Sequence, residues 1–471
     1  MFTRGLDKER SGNAPSLGHC ECVCPGAHRL GARVFFAVYA PQAERVFLVG
    51  SFNGWGDSHP MTLGEGDMWV TDISSRDIKD GDTYKFKICK GGCEIYVTDP
   101  YAVENGGPPH FNSVYRDISD ELSHTYENEE HFGCLGMPLN IYEIRADIIK
   151  CGGKAALYCD IARDYTPYIL QMGYTHVCLS GVFECYYDHA HSHGEQAYFA
   201  PHRDQGGVDG LRSFVHSMHT SGIGVLLDWT VEHIPEDATG ERFLADNALY
   251  WLETYGIDGF LIGGGAVRGD ALSRLIREVK NERDGAYFIT RDSDIYNRVA
   301  GINAAVKDCD AYASGTREVR ALMAARAYLI FLDGKMITYS GCELGMSGEE
   351  AKEGEIDPSL SERRENASLQ LFTSDLSELY LSHECLWACD RRVKVTRSRD
   401  GYIAVIECSS GEDRLILAVD LSGRGGDVKL PCAAGTSVLL DTPSRRYGER
   451  RGNDLHGDTV TLEPFGAVAL G

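Results

Sequence analysis

Gly222-Ile223-Gly224-Val225-Leu226-Leu227-Asp228-Trp229-Thr230-Val231-Glu232-His233 is the stretch that decides how the chain folds. It is an apolar run rich in β-formers, opened by two glycines and closed by a carboxylate and a histidine. That pattern predicts a buried parallel strand handing polar groups to the carboxyl edge of a sheet. Upstream, Leu211, Phe214, Val215 and Met218 recur at helical spacing and share one face, so an amphipathic helix leads into the strand. Similar alternation surrounds it. Strands are predicted at Gly173–Leu179, Gly256–Ile262 and Ala286–Thr290, with helices around Ile161–Met172 and Asn247–Leu252. Strands alternating with helices predict a parallel sheet.

The remainder of the chain reads differently. Arg33–Pro41, Arg45–Val49, Met68–Ile73 and Thr83–Ile88 are short strands split by turn residues, which predicts a β-sandwich. Tyr402–Ile406, Leu415–Val419 and Ser437–Leu440 return to the β pattern. The expected fold class is a multidomain α/β chain with an N-terminal β-sandwich, a central α/β domain built on a parallel sheet and a C-terminal β domain. The boundaries that follow are a flexible leader over 1–30, the sandwich over 31–118, the central domain over 119–385 and the C-terminal domain over 386–471.

With 471 residues, two to four domains are expected at roughly 150 residues each. The net charge of −24 argues against nucleic acid or an anionic membrane as a partner and leaves neutral partners unaffected. The absence of a run of about 18 apolar residues and of a signal-type N-terminus leads us to expect a soluble, cytoplasmic protein. The 16 cysteines are scattered and several, such as Cys89, Cys178 and Cys408, fall inside predicted elements, so reduced thiols are expected rather than a disulfide framework. Cys20, Cys22 and Cys24 lack a second ligand pair, and His189, His191 and His193 beside Asp188 are read as a solvated loop. No metal and no cofactor is assigned.

Val46-Phe47-Leu48-Val49-Gly50-Ser51-Phe52-Asn53-Gly54-Trp55, Tyr84-Lys85-Phe86 and Thr98-Asp99-Pro100-Tyr101 resemble the starch- and glycogen-binding modules that precede the barrel of branching enzymes. The same type of module occurs in the β subunit of AMP-activated protein kinase. The resemblance implies that Trp55 stacks on a sugar, that Lys85 bonds sugar hydroxyls and that Asn112 adds a contact, with Tyr96 standing in for a second stacking tryptophan. Packing of Trp55 in a module that only braces the barrel is the competing expectation.

The strand ending at Asp228, together with Leu139–Ile144, Asn247–Leu252 and Lys335–Gly345, resembles the barrel of the glycogen branching enzymes of the α-amylase superfamily, and the C-terminal β pattern matches theirs as well. The resemblance spans roughly residues 33–471 and implies a (β/α)8-type barrel, complete or truncated. A retaining glucan transferase needs a carboxylate nucleophile and a carboxylic acid about 5 Å apart. In the family's Asp-Gly-Leu-Arg-Val-Asp-Ala-Val pattern the nucleophile falls at Gly263 and the supporting arginine at Leu261; the Ala-Glu-Glu-Ser acid falls at Arg291, which cannot donate its proton near neutral pH. The third carboxylate has no counterpart, the loop after His233 is short, and a tyrosine before Tyr198 is lost. Asp228 and His233 remain; the resemblance implies that this Asp orders the barrel end and this His bonds a substrate hydroxyl, with a purely structural role for both as the competing expectation, and Tyr198 is carried over as a substrate contact.

The expected function is therefore an α-glucan-binding homologue with degenerate catalysis. Two alternatives stand beside it. One is a working 1,4-α-glucan branching enzyme using displaced carboxylates such as Asp292 or Asp258, with Glu343 and Glu232 considered and set aside as substitute acids. The other is an interaction protein with a vestigial barrel.

Overall fold

The computed structural model describes residues 24–107, 109–118, 137–185, 196–230, 241–263, 269–290, 315–346, 358–398, 402–431, 437–449 and 452–471. The N-terminal module runs through β1 (Gly26–Leu30), β2 (Arg33–Tyr39), β3 (Arg45–Gly50), β4 (Thr62–Leu63), β5 (Met68–Ser74), β6 (Thr83–Lys90), β7 (Cys93–Val97), β8 (Glu104–Asn105) and β9 (Ser113–Val114). One sheet has the order β1-β2-β5-β4 and the other β3-β6-β9-β8, with β7 added on β6. Alternate residues meet between the sheets: Val34, Phe36 and Val38 of β2 pack against Val46 and Leu48 of β3 and Tyr84, Phe86 and Ile88 of β6. Part of the expected leader is structured. Residues 26–30 pair along their whole length with β2, Gly26 opposite Ala37 and Leu30 opposite Arg33. A short edge strand of mixed polarity carries little alternation of its own and is fixed by its partner.

The central sheet comprises β10 (Asn140–Arg145), β11 (His176–Ser180), β12 (Gly224–Trp229), β13 (Gly259–Ile262), β14 (Tyr287–Thr290) and β15 (Met336–Tyr339). Its order is β14-β13-β12-β11-β10-β15, parallel at every described pairing. The last strand returns beside the first, as barrel closure requires; the chain leading to it includes residues 291–314, outside the described residues. Helices α1 (Tyr158–Gln171), α2 (Gly207–Thr220), α3 (Glu241–Thr254), α4 (Gly269–Glu282), α5 (Gly315–Asp333) and α6 (Arg364–Ser382) accompany the strands. Both faces of β12 and β13 are apolar. Val225, Leu227, Trp229, Phe260 and Ile262 face the helices, while Ile141, Cys178, Leu226, Leu261 and Tyr287 form the inner cluster. The module docks on this body where Tyr101 stacks on Phe199 at 4.8 Å and Arg116 pairs with Asp209 at 3.0 Å.

The C-terminal domain pairs β16 (Arg392–Arg397), β17 (Ile403–Ser410), β18 (Asp413–Asp420), β19 (Gly426–Lys429), β20 (Val438–Asp441), β21 (Asp454–His456), β22 (Thr459–Leu462) and β23 (Ala467–Leu470) into sheets ordered β16-β17-β18-β23-β20 and β19-β22-β21. Asp420, with no exposed surface, ends β18 and accepts from Ser422 N–H (2.9 Å), Ser422 Oγ (2.6 Å), Gly425 N–H (2.9 Å) and Phe465 N–H (3.0 Å). Burial pushes this carboxyl up, and the hydrogen bonds outweigh it, leaving it below its ordinary value. A lowered folded value means stability that is present above the unfolded value and lost as pH falls. Asp420→Asn should cost about 2–3 kcal/mol in urea unfolding by setting an amide against N–H donors. The difference from wild type should hold above roughly pH 4 and shrink below it.

Candidate functional site

The carboxyl end of the parallel sheet is where barrel chemistry would sit, and β12 brings Asp228 there. Asp228 lies opposite Leu261 in the pairing of β12 with β13, and its Oδ1 accepts from Thr230 Oγ1 at 2.9 Å. Gly263 follows one residue after β13. A Cβ placed on Gly263 would meet Thr230 Oγ1 at 2.0 Å and Thr230 Cβ at 3.1 Å, so Thr230 occupies the space into which a side chain at 263 would project. Leu261 is fully buried in the inner apolar cluster beside Leu226 and Tyr287. Two positions that the branching-enzyme resemblance assigns to charged groups are thus an apolar side chain and a glycine covered by a neighbour's hydroxyl. His233, Glu232, Arg291, Asp292 and the His189, His191 and His193 run lie outside the described residues, as do Cys20 and Cys22.

Two expectations for this region are corrected, Tyr198 as a substrate contact and Asp258 as a displaced carboxylate. Tyr198 is 4% exposed and packs edge-on against Phe183 and Phe243, so its ring belongs to the core and cannot meet a substrate. Its short strand, Gln196–Pro201, pairs with Phe183–Cys185, and its carbonyl takes hydrogen bonds from Asn247 Nδ2 and Trp251 Nε1. Asp258 precedes β13, at the opposite end of the sheet from Gly263; its Oδ2 accepts from Val225 N–H at 2.7 Å and meets His219 Nε2 at 2.9 Å. It is not a displaced catalytic carboxylate. Glu343 is 1% exposed and accepts from the Tyr142 and Tyr168 hydroxyls, each at 2.9 Å, and from Gly341 N–H at 3.0 Å. Burial raises its pKa. The tyrosines that hold it lie on the helix side of β10, away from the inner cluster, so a structural role accounts for this carboxyl.

A second polar cluster lies on the outer face of the module. Tyr84, Phe86 and Ile88 of β6 point to the core, which turns Lys85 and Lys87 outward. Lys85 donates to the His110 carbonyl at 2.9 Å, and Thr98 Oγ1 donates to that of Phe111 at 3.0 Å. These bonds bring the segment carrying Asn112 to β6. Burial lowers the pKa of the Lys85 ammonium. Tyr96 lies opposite Lys87 and is 52% exposed. Trp55, 37% exposed, stands in a left-handed turn with φ of 61° and donates its N–H to Gly50 O at 2.9 Å. Asn53 holds that turn: its Oδ1 accepts from Gly50 N–H and its Nδ2 donates to Leu48 O, both at 2.9 Å. Gly50 must be glycine, since a Cβ there would lie 2.5 Å from Thr83 O. Lys87, missed from sequence, forms ion pairs at 3.0 Å with both Asp57 and Glu94. Its spacing of two residues from Lys85 was the available signal.

Residues 26–102 match the family model of carbohydrate-binding module 48, the isoamylase N-terminal domain. A pullulanase from Anoxybacillus sp. LM18-11 in complex with maltotetraose superimposes with a TM-score of 0.72 at 15% identity, over 95% of this chain and 87% of that one. A putative α-amylase from Salmonella typhimurium gives 0.68 at 15% identity, over 95% and 99%. The chain is a multidomain α/β protein of the α-amylase fold with a carbohydrate-binding module 48 at its N-terminal side. It is 32% identical over 285 residues to the 1,4-α-glucan branching enzyme GlgB of Rhodospirillum rubrum, covering 50% of this chain and 38% of that enzyme. The enzyme of the same name from Nitrosococcus oceani is 32% identical over 299 residues, covering 54% and 39%. The chain is thus similar to 1,4-α-glucan branching enzymes over about half its length, and it spans less than half the length of those relatives. Among the described residues, no helix is long and apolar enough to cross a membrane.

The Gly263 contact is testable by coupling. Gly263→Ala should destabilise the protein by about 1–3 kcal/mol through overpacking against Thr230. In a Thr230→Ala background, which removes Oγ1 and Cγ2, the same substitution should cost distinctly less. Urea unfolding of the four proteins of the cycle measures the coupling.

Proposed function

We propose that this protein binds α-glucan through the outer face of its N-terminal module and does not transfer glucan chains. The observation that carries the reading is the contact between Gly263 and Thr230. The position matching the family's nucleophile has no side chain, and Thr230 fills the space that one would need. Covalent glycosyl transfer requires a carboxylate there, and leaving-group protonation requires an acid where the sequence has Arg291. Leu261 in the inner cluster supports the same reading, because the position matching the family's arginine holds an apolar side chain.

Support for the ligand comes from the module. Its family is carbohydrate-binding, the related enzymes act on 1,4-α-glucan by name, and a protein of this fold has been solved with maltotetraose. Trp55 and Tyr96 offer partly exposed rings for sugar faces, while Lys85 and Asn112 supply polar groups beside them. A neutral ligand is also compatible with a strongly acidic protein. The identity to branching enzymes over half the chain favours a second reading, retained transfer activity.

One pair of assays separates the two. Glycogen and maltoheptaose should bind saturably, and Trp55→Ala should weaken maltoheptaose binding about tenfold or more, the effect of truncating an aromatic anchor. Amylose incubated with the protein should keep its iodine absorbance. A fall in that absorbance which Asp228→Ala abolishes would overturn the non-catalytic reading.

A further inference from the structure

Lys87 joins two segments that are far apart along the chain. Its ammonium reaches Asp57 through both carboxylate oxygens, at 3.0 and 3.2 Å, and Glu94 at 3.0 Å. Its side chain is only 8% exposed, whereas those of Asp57 and Glu94 are 49% and 54% exposed, so the lysine is the fixed point and the two acids are the arms. The ammonium also lies 5.7 Å from the centre of the Phe47 ring on the neighbouring strand, which holds it at this place on the sheet.

The arms matter because of what they carry. Asp57 is two residues beyond Trp55, in the turn where Gly54 and Trp55 both have φ of 61°. Glu94 is two residues before Tyr96, and the two alternate onto the same face of β7, an edge strand that pairs only with β6 among the described residues. A left-handed turn and a short edge strand are segments whose positions are weakly specified by their own backbone. One buried cation holding a carboxylate from each ties the Trp55 turn, which Asn53 also braces, to the strand that carries Tyr96.

We infer that Lys87 is a positioning residue for α-glucan recognition, stapling the Trp55 turn and the Tyr96 strand into a single platform; this rests on the glucan reading above. Preorganised rings lose less freedom when they bind a flexible sugar chain, so removing the staple should weaken binding without removing any sugar contact. Lys85 serves a different segment, through His110, and does not replace it.

The test uses the full chain with maltoheptaose as the probe and amide hydrogen exchange as an independent readout. In Lys87→Met, exchange should accelerate at residues 54–57 and 94–97, and affinity should fall roughly fivefold or more. Lys87→Arg, which keeps the charge and donors, should stay within about twofold of wild type. Asp57→Ala, a substitution at an exposed position, should accelerate exchange at 54–57 while sparing 94–97, so the staple is testable even where Lys87→Met folds poorly. Unchanged exchange in Lys87→Met and Asp57→Ala would overturn the staple. Faster exchange with unchanged affinity would overturn its role in recognition. Wild-type protein that binds no maltoheptaose would sink the glucan reading itself, while the exchange data would still decide whether the staple exists.

Discussion

A parallel sheet covered on both faces can hold polar chemistry only where its strands end. Here Val225, Leu227, Phe260 and Ile262 are committed to the helices and Leu226, Leu261 and Tyr287 to the inner cluster, so the interiors of β12 and β13 are apolar. Polar groups appear at the termini. Asp258 satisfies Val225 N–H at one end of the sheet, and Asp228 takes the Thr230 hydroxyl at the other. An active site on such a sheet depends on the few residues that follow each strand, and one altered strand end changes it without disturbing the fold.

The region around Gly263 illustrates this. Family-type catalysis would need an arginine at 261 and a carboxylate at 263, two charges that stabilise each other. With Leu261 the inner cluster extends one step closer to the strand end, and with Gly263 the vacated space is taken by Thr230. Each replacement suits the other. A carboxylate introduced at 263 alone would stand against an apolar neighbour and overlap the Thr230 hydroxyl, so a family-type nucleophile there would need change at 230 and 261 as well.

Much of this organisation was legible in the sequence because burial leaves a periodic trace. The strand ending at Asp228, the helix carrying Leu211, Phe214, Val215 and Met218, and the alternation of β6 all appear in the structure where their apolar patterns fall. The Gly26–Leu30 strand was not legible, since an edge strand depends on its partner. Tyr198 was misassigned for a related reason: alternation in Gln196–Pro201 does not reveal whether an aromatic ring turns toward a ligand or toward Phe183 and Phe243. The meeting of Thr230 with Gly263 depends on register between strands more than thirty residues apart, and no local pattern encodes it.

The module obeys a different constraint from the barrel, and this gives the proposed loss of catalysis a physical logic. Its sugar-facing candidates sit on one outer surface, positioned by short-range devices: the Asn53 bonds around Gly50, the Lys85 bond to His110, and the Lys87 ion pairs. None of these reaches the carboxyl end of the parallel sheet. Contacts that join the two bodies, such as Tyr101 on Phe199 and Arg116 with Asp209, lie elsewhere and depend on residues with no part in either candidate site. Changes at Leu261 or Gly263 are therefore expected to leave recognition by the module intact, since neither residue takes part in these contacts. The barrel can then persist for its core and for the surface on which the module rests, under selection for packing rather than for a pair of carboxylates.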